Sequence, residues 1–217
     1  MTAAVVVLDL DGVIVQTNLV KHDAMLSLFA DYPDRRSSVS KFILANGGVP
    51  RRVKLTSLLQ DCLNDMPTEE AIEDLLDRYA AALEHQLAVA PAVEGVEQFI
   101  ASWSGPRYVC SSAPELEVRA QVSRRSLGTH FTAIFGGNTP KSEALLQIAA
   151  ANPKRNVVFF GDSVSDYEAA QKAEVAFVAV ACERDNFAGI QVVKIRDFTD
   201  QAILESAMLE ALSTRAA

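Results

Sequence analysis

The sequence predicts an α/β protein: a doubly wound parallel sheet with a separate block of helices inserted after the first strand. Short apolar runs rich in branched residues, at 4–10, 107–111, 156–161 and 175–181, have the unbroken hydrophobic character of strands covered on both faces. Helical patterns lie between them at 93–103, 114–125, 142–150 and 166–172, the alternation that a parallel sheet with helical crossovers needs. From about residue 18 to about residue 88 that alternation stops, and amphipathic helical patterns run on without a convincing strand. The expected organisation is therefore a core of residues 1–17 and 89–217 with a helical insert at 18–88.

The first run is short, follows no basic stretch and ends in two aspartates, so it reads as a buried strand rather than a secretory leader. Within the insert, Asn46, Gly47, Gly48 and Pro50 interrupt the helical pattern, while Pro67 and Thr68 ahead of Glu69 and Glu70 make a helix start. Weaker strand candidates are 133–135 and 191–195. No apolar run is long enough to span a bilayer.

Composition narrows the functional classes. A formal net charge of −8 argues against nucleic-acid or anionic-membrane partners, so any phosphate site must be locally basic. Cys62, Cys110 and Cys182 are odd in number and widely spaced, which suggests neither a disulfide framework nor a zinc cluster and fits a reducing, cytoplasmic setting. They are expected to pack as small apolar residues.

The chemistry concentrates at strand ends. Asp9-Leu10-Asp11-Gly12 closes the first run, at the carboxyl edge where open α/β sheets bind ligands. Period-two alternation points the Asp9 and Asp11 side chains the same way, and two carboxylates so placed raise a pKa or call for a cation, for which oxygen ligands suit magnesium. The plain alternative is that the pair merely ends a strand and caps a turn. A second acidic strand end, Gly161-Asp162-Ser163-Val164-Ser165-Asp166, weighs against that, because two such ends in one sheet can converge on a single metal. For Asp166 a helix start capped by Ser163 or Ser165 is an equally good local account.

Ser111, followed by Ser112, closes the 107–111 run, where a hydroxyl and neighbouring amides can hold phosphate oxygens, although such a serine is commonly only a cap. Lys141 follows Gly136-Gly137-Asn138-Thr139-Pro140 and opens a helix, within reach of a phosphate as a compact cation.

In this order, Asp9-x-Asp11-Gly12, Ser111, Lys141 and Gly161-Asp162-x-x-x-Asp166 resemble the four motifs of the haloacid-dehalogenase-like superfamily. The resemblance implies a magnesium-dependent phosphomonoester hydrolase acting on a small phosphorylated metabolite through an aspartyl-phosphate. It makes Asp9 the nucleophile and Asp11 the general acid and base. Ser111, Ser112 and Lys141 would hold the phosphoryl group, and Asp162 and Asp166 would join Asp9 and Asp11 at the metal. Asp11 sets the chain apart from the metal-free dehalogenase branch, which lacks this second aspartate.

The insert occupies the position of the superfamily's small helical cap. Gly47-Gly48-Val49-Pro50-Arg51-Arg52-Val53-Lys54 looks like the specificity loop of the β-phosphoglucomutase-like branch, which implies that Arg51, with Arg52 and Lys54, meets an anionic part of the substrate. A solvated basic helix start is the bland alternative. Phosphosugar mutase activity is the second reading. It is disfavoured because Lys21 stands where the mutases carry a histidine, with His22 one place off, and Gly161 replaces their glutamate. A phosphonoacetaldehyde-type hydrolase using Lys54 and a non-catalytic binder of a phosphorylated ligand rank lower. A cap that swings is compatible with a monomer.

Overall fold

A computed structural model describes residues 4–63 and 66–215. Among them the chain forms two compact units, Met1–Gln16 with Pro91–Ala217, and Thr17–Ala90.

The first unit is built on six parallel strands: β1 (Val5–Leu8), β2 (Arg107–Cys110), β3 (Ala133–Phe135), β4 (Val157–Gly161), β5 (Ala176–Val180) and β6 (Lys194–Ile195), in the order β3-β2-β1-β4-β5-β6. The expected strands all form, and the fold is the α/β doubly wound class the alternation predicts. β1 and β4 are buried along their whole length because both sheet faces are covered. Phe159 stacks edge-on to Phe177 on one face, in a cluster with Leu145 and Ile148 of α7 (Lys141–Ala151) and Ala170 of α8 (Val164–Lys172). Its neighbour Phe160 turns the other way, toward Phe99 of α5 (Val96–Ser102) and toward Phe198. This period-two split explains why these strands read as continuous apolar runs.

Arg107 secures the first crossover, donating from Nη1 to the Ile100 and Trp103 carbonyls at 2.6 Å where α5 ends and leaves carbonyls unpaired. α6 (Glu115–Arg124) packs on β3. One helix was not anticipated: α9 (Gln201–Arg215), which packs chiefly on β5. Its buried Leu204, Ala207, Met208 and Ala211 do form a helical stripe, but the stripe is half alanine and too weakly hydrophobic to stand out.

The second unit is all helical: α1 (Asn18–Ser27), α2 (Arg36–Ala45), α3 (Arg51–Leu63) and α4 (Glu69–Val89) around a core that includes Met25, Val39, Leu55, Leu58, Tyr79 and Leu83. Thr68 is the N-cap of α4 and accepts from the Ala71 amide at 3.2 Å, as the Pro67-Thr68 signal predicts. Gly48, at φ +75°, turns the chain between α2 and α3. No helix among the described residues is long and apolar enough to cross a membrane.

Candidate active site

Strand order reverses between β1 and β4, the switch point at which the carboxyl ends of a doubly wound sheet open a crevice. Both acidic motifs end there. The Asp9 amide continues the ladder by donating to the Phe160 carbonyl at 2.9 Å, so Asp9 and Asp162 leave adjacent strands one step apart. Gly12, at φ +74°, then turns the chain back, with its amide on the Val15 carbonyl at 2.7 Å.

Asp9, Asp162 and Asp166 are all buried, and one carboxylate oxygen from each lies within 4.8 Å of the others. Lys141, also buried, reaches into this group from the start of α7. Its Nζ lies 3.0 Å from Asp9 Oδ2 and 2.5 Å from Asp166 Oδ1. Two loop contacts place α7. The Gly137 amide donates to the Ala113 carbonyl at 2.7 Å, and a Cβ on Gly136 would stand 2.4 Å from Glu115 Cα. Only glycine permits that approach.

Asp166 fulfils the helix-start reading with one oxygen and meets Lys141 with the other. Oδ2 accepts from the Asp162 amide at 3.2 Å, the Ser163 amide at 3.1 Å and Ser163 Oγ at 2.6 Å, closing a capping box at the start of α8. Oδ1 takes Lys141. Gly161 makes room for this, since a Cβ there would come within 2.5 Å of Asp166 Cβ.

The electrostatics follow from burial. Burial pushes the Asp9 carboxyl up to about 7; Lys141 pulls it back only in part, and Asp166 and Asp11 push it further up. For Lys141, burial favours the neutral amine, but Asp166 and Asp9 prevail and hold it well above the usual lysine range. Burial likewise raises the Cys110 thiol to about 12, so it stays a neutral packing group, as expected of a buried cysteine. Cys182 is partly exposed, and the Cys62 side chain lies outside the described residues.

Three buried carboxylates facing one ammonium carry an excess of negative charge in a water-poor site. An all-oxygen donor set of this kind fits a hard divalent cation. Asp9, Asp162 and Asp166 could each offer it one oxygen, although Asp9 also holds the Leu10 amide and Lys141, and Asp166 the cap and the lysine. Asp11, expected among the ligands, is half-buried in the turn, and its carboxylate is not one of the three that converge.

Ser111 is buried at the end of β2, where its Oγ accepts from the Ala113 amide at 3.1 Å; Ser112 beside it is half-buried. In the helical unit the Arg51 guanidinium lies 5.2 Å over the Tyr79 ring. Arg52, grouped with it in the sequence, is exposed and bridges α3 to α4 through Glu69 at 2.5 Å and Glu73. Lys54 is half-buried on the first turn of α3.

Fold and site together define a doubly wound α/β protein with three buried carboxylates gathered at the switch point of its sheet. Residues 3–174 match the family model "haloacid dehalogenase-like hydrolase", and the chain belongs to that family. Among curated proteins it is 28% identical over 190 residues to phosphoglycolate phosphatases of Pseudomonas savastanoi pv. phaseolicola and Pseudomonas syringae pv. syringae, covering 81% of this chain and 68% of theirs. The chain is a phosphatase of this family. Solved structures share its fold. A β-phosphoglucomutase from Clostridium difficile superposes with a TM-score of 0.76 at 16% identity, over 98% of this chain and 100% of that one. A haloacid dehalogenase-like protein from Agrobacterium tumefaciens superposes with a TM-score of 0.73 at 19% identity, over 95% and 99%.

Proposed function

We propose that the protein is a magnesium-dependent phosphomonoester hydrolase of a small phosphorylated metabolite, working through an aspartyl-phosphate on Asp9. The observation that carries this reading is the buried pairing of Asp9 with Lys141 beside Asp162 and Asp166. An anionic nucleophile approaches a phosphate dianion only where the repulsion between them is offset. Asp9, Asp162 and Asp166 would hold the divalent cation, which would supply further positive charge to the phosphate. Lys141 spends two of its three N–H donors on Asp9 and Asp166, leaving one for a phosphoryl oxygen. Ser111 and Ser112, at the mouth of β2, bind the remaining oxygens.

In this scheme Asp9 forms a bond to phosphorus as the ester bond breaks, and Asp11 gives its proton to the departing alkoxide. Water, giving a proton to Asp11, then attacks phosphorus and displaces the Asp9 carboxylate, so that inorganic phosphate leaves. The helical unit, residues 18–88 by its sequence pattern, acts as the cap, with Arg51 and Lys54 recognising an anionic group of the substrate. Arg52, grouped with them in the sequence, pairs with Glu69 and Glu73 within the helical unit. The curated relatives make small phosphorylated acids, phosphoglycolate first, the leading substrates to test. The free thiols of Cys110 and Cys182 support a cytoplasmic setting.

The deciding experiment measures phosphate release from small phosphorylated acids, sugar phosphates and an aryl phosphate, with magnesium and with chelator, for the wild type and Asp9→Asn. Magnesium-dependent release that disappears in Asp9→Asn is expected. Turnover retained by a folded Asp9→Asn protein overturns the mechanism.

A further inference from the structure

The loop after β5 presents a polar side chain that the reaction scheme above does not use. The β4–β5 ladder ends at Gly161 paired with Ala179, so the Asp162 carbonyl lies one residue past the last rung. Asn186 reaches back to it, its Nδ2 donating to that carbonyl at 2.9 Å. The loop that carries Asn186 is fixed on both sides. Phe187 is fully buried in the core cluster, with its ring 5.8 Å from that of Phe177. Asp185 accepts from the Phe187 amide at 2.9 Å and takes Lys194 Nζ on both oxygens, at 3.1 and 2.8 Å. Lys194 also donates to the Phe187 carbonyl at 3.3 Å, so β6 clamps the loop.

We infer that Asn186 is a positioning residue for the carboxylate centre, holding the Asp162 main chain so that its carboxylate stands beside Asp9 at the spacing one divalent cation requires. Partners that orient a ligand without touching the metal are worth roughly 10- to 100-fold in metal affinity. Asn186 acts from the carbonyl side, one residue past the last β4–β5 rung, while Asp166 holds the Asp162 amide from the other. The inference rests on the cation site proposed above.

The test is calorimetric titration of the intact protein with magnesium ion alone, without substrate and well below the unfolding temperature, for the wild type, Asn186→Ala and Lys194→Met. Asn186→Ala is expected to bind magnesium about tenfold more weakly, and its lost turnover of an aryl phosphate should return as the cation is raised. Lys194→Met, which loosens the clamp from an exposed position, should shift affinity the same way by less. If Asn186 merely steadied a loop, Asn186→Ala would lower the unfolding midpoint and leave magnesium affinity unchanged, and that result overturns the inference. Should Asn186→Ala fail to fold, Lys194→Met decides alone, unchanged affinity counting against the proposal. A wild type that binds no magnesium removes the cation site itself and this inference with it. That outcome is distinct from a wild type that binds and an Asn186→Ala variant that binds equally well.

Discussion

Replacing Lys141 with methionine removes the ammonium that faces Asp9 and Asp166 while keeping most of the side chain's volume. At 3.0 Å from Asp9 Oδ2, and with an effective dielectric of about 20, the attraction of one such pair is about 5.5 kcal/mol, before the cost of burying the charges. Much of that is offset by desolvation of the ammonium, yet the carboxylates left behind remain buried and uncompensated. Breaking a buried pair from one side costs about 3–5 kcal/mol. We therefore expect Lys141→Met, at pH 8 and without divalent cation, to be destabilised by about that amount in urea unfolding. The loss should shrink as pH falls, and from a higher pH than the wild-type Asp9 value of about 7, because without the pull of Lys141 the Asp9 carboxyl takes its proton more readily; it should also shrink on adding magnesium. Turnover should be lost at every pH. A Lys141→Met protein as stable as the wild type at pH 8 in chelator would refute the claim that this lysine holds the centre together.

Three further outcomes follow from the same geometry. Gly161→Ala puts a Cβ 2.5 Å from Asp166 Cβ, so it should cost about 1–3 kcal/mol in denaturant unfolding and sharply lower turnover; a neutral substitution would contradict the packing described. Because the folded-state pKa of Asp9 is raised from 3.8 to about 7, the folded protein holds an extra proton between those values. Its cation-free stability should therefore fall as pH rises through that window, and cation binding, which expels the proton, should strengthen by up to about tenfold per pH unit until about 7 and then level off. Calorimetric titrations at several pH values check this, and a flat profile counts against it. Arg51→Ala, which removes the guanidinium over Tyr79, should raise KM for the natural substrate while sparing an aryl phosphate. Equal losses on both esters would argue against a specificity role.

What the sequence determined by itself was the set of strands and, to within a few residues, their position. Val5–Leu8 and Val157–Gly161 are apolar throughout because both faces of a doubly wound sheet are covered, and that burial is written into consecutive residues. The acidic strand ends and the Thr68 helix start were legible for the same reason, since each depends on residues a few positions apart. The helical insert showed itself through the missing alternation. α9 escaped notice because alanine fills half of its buried stripe and leaves the period faint.

Only the tertiary structure decided the partners. Nothing local to Lys141 says that it joins Asp166 as well as Asp9, or that Asp166 divides its oxygens between a helix cap and that lysine. Arg51 and Arg52 are adjacent in sequence, yet one lies over Tyr79 and the other bridges to Glu69 and Glu73, because successive helical positions face different neighbours. Asn186 bonds a carbonyl 24 residues away and carries no motif at all. A strand's character is set by burial along the chain, whereas a charged or amide group's partner is set by which strand ends the sheet order brings together. The placement of β4 beside β1 is what turns two acidic loops into one site.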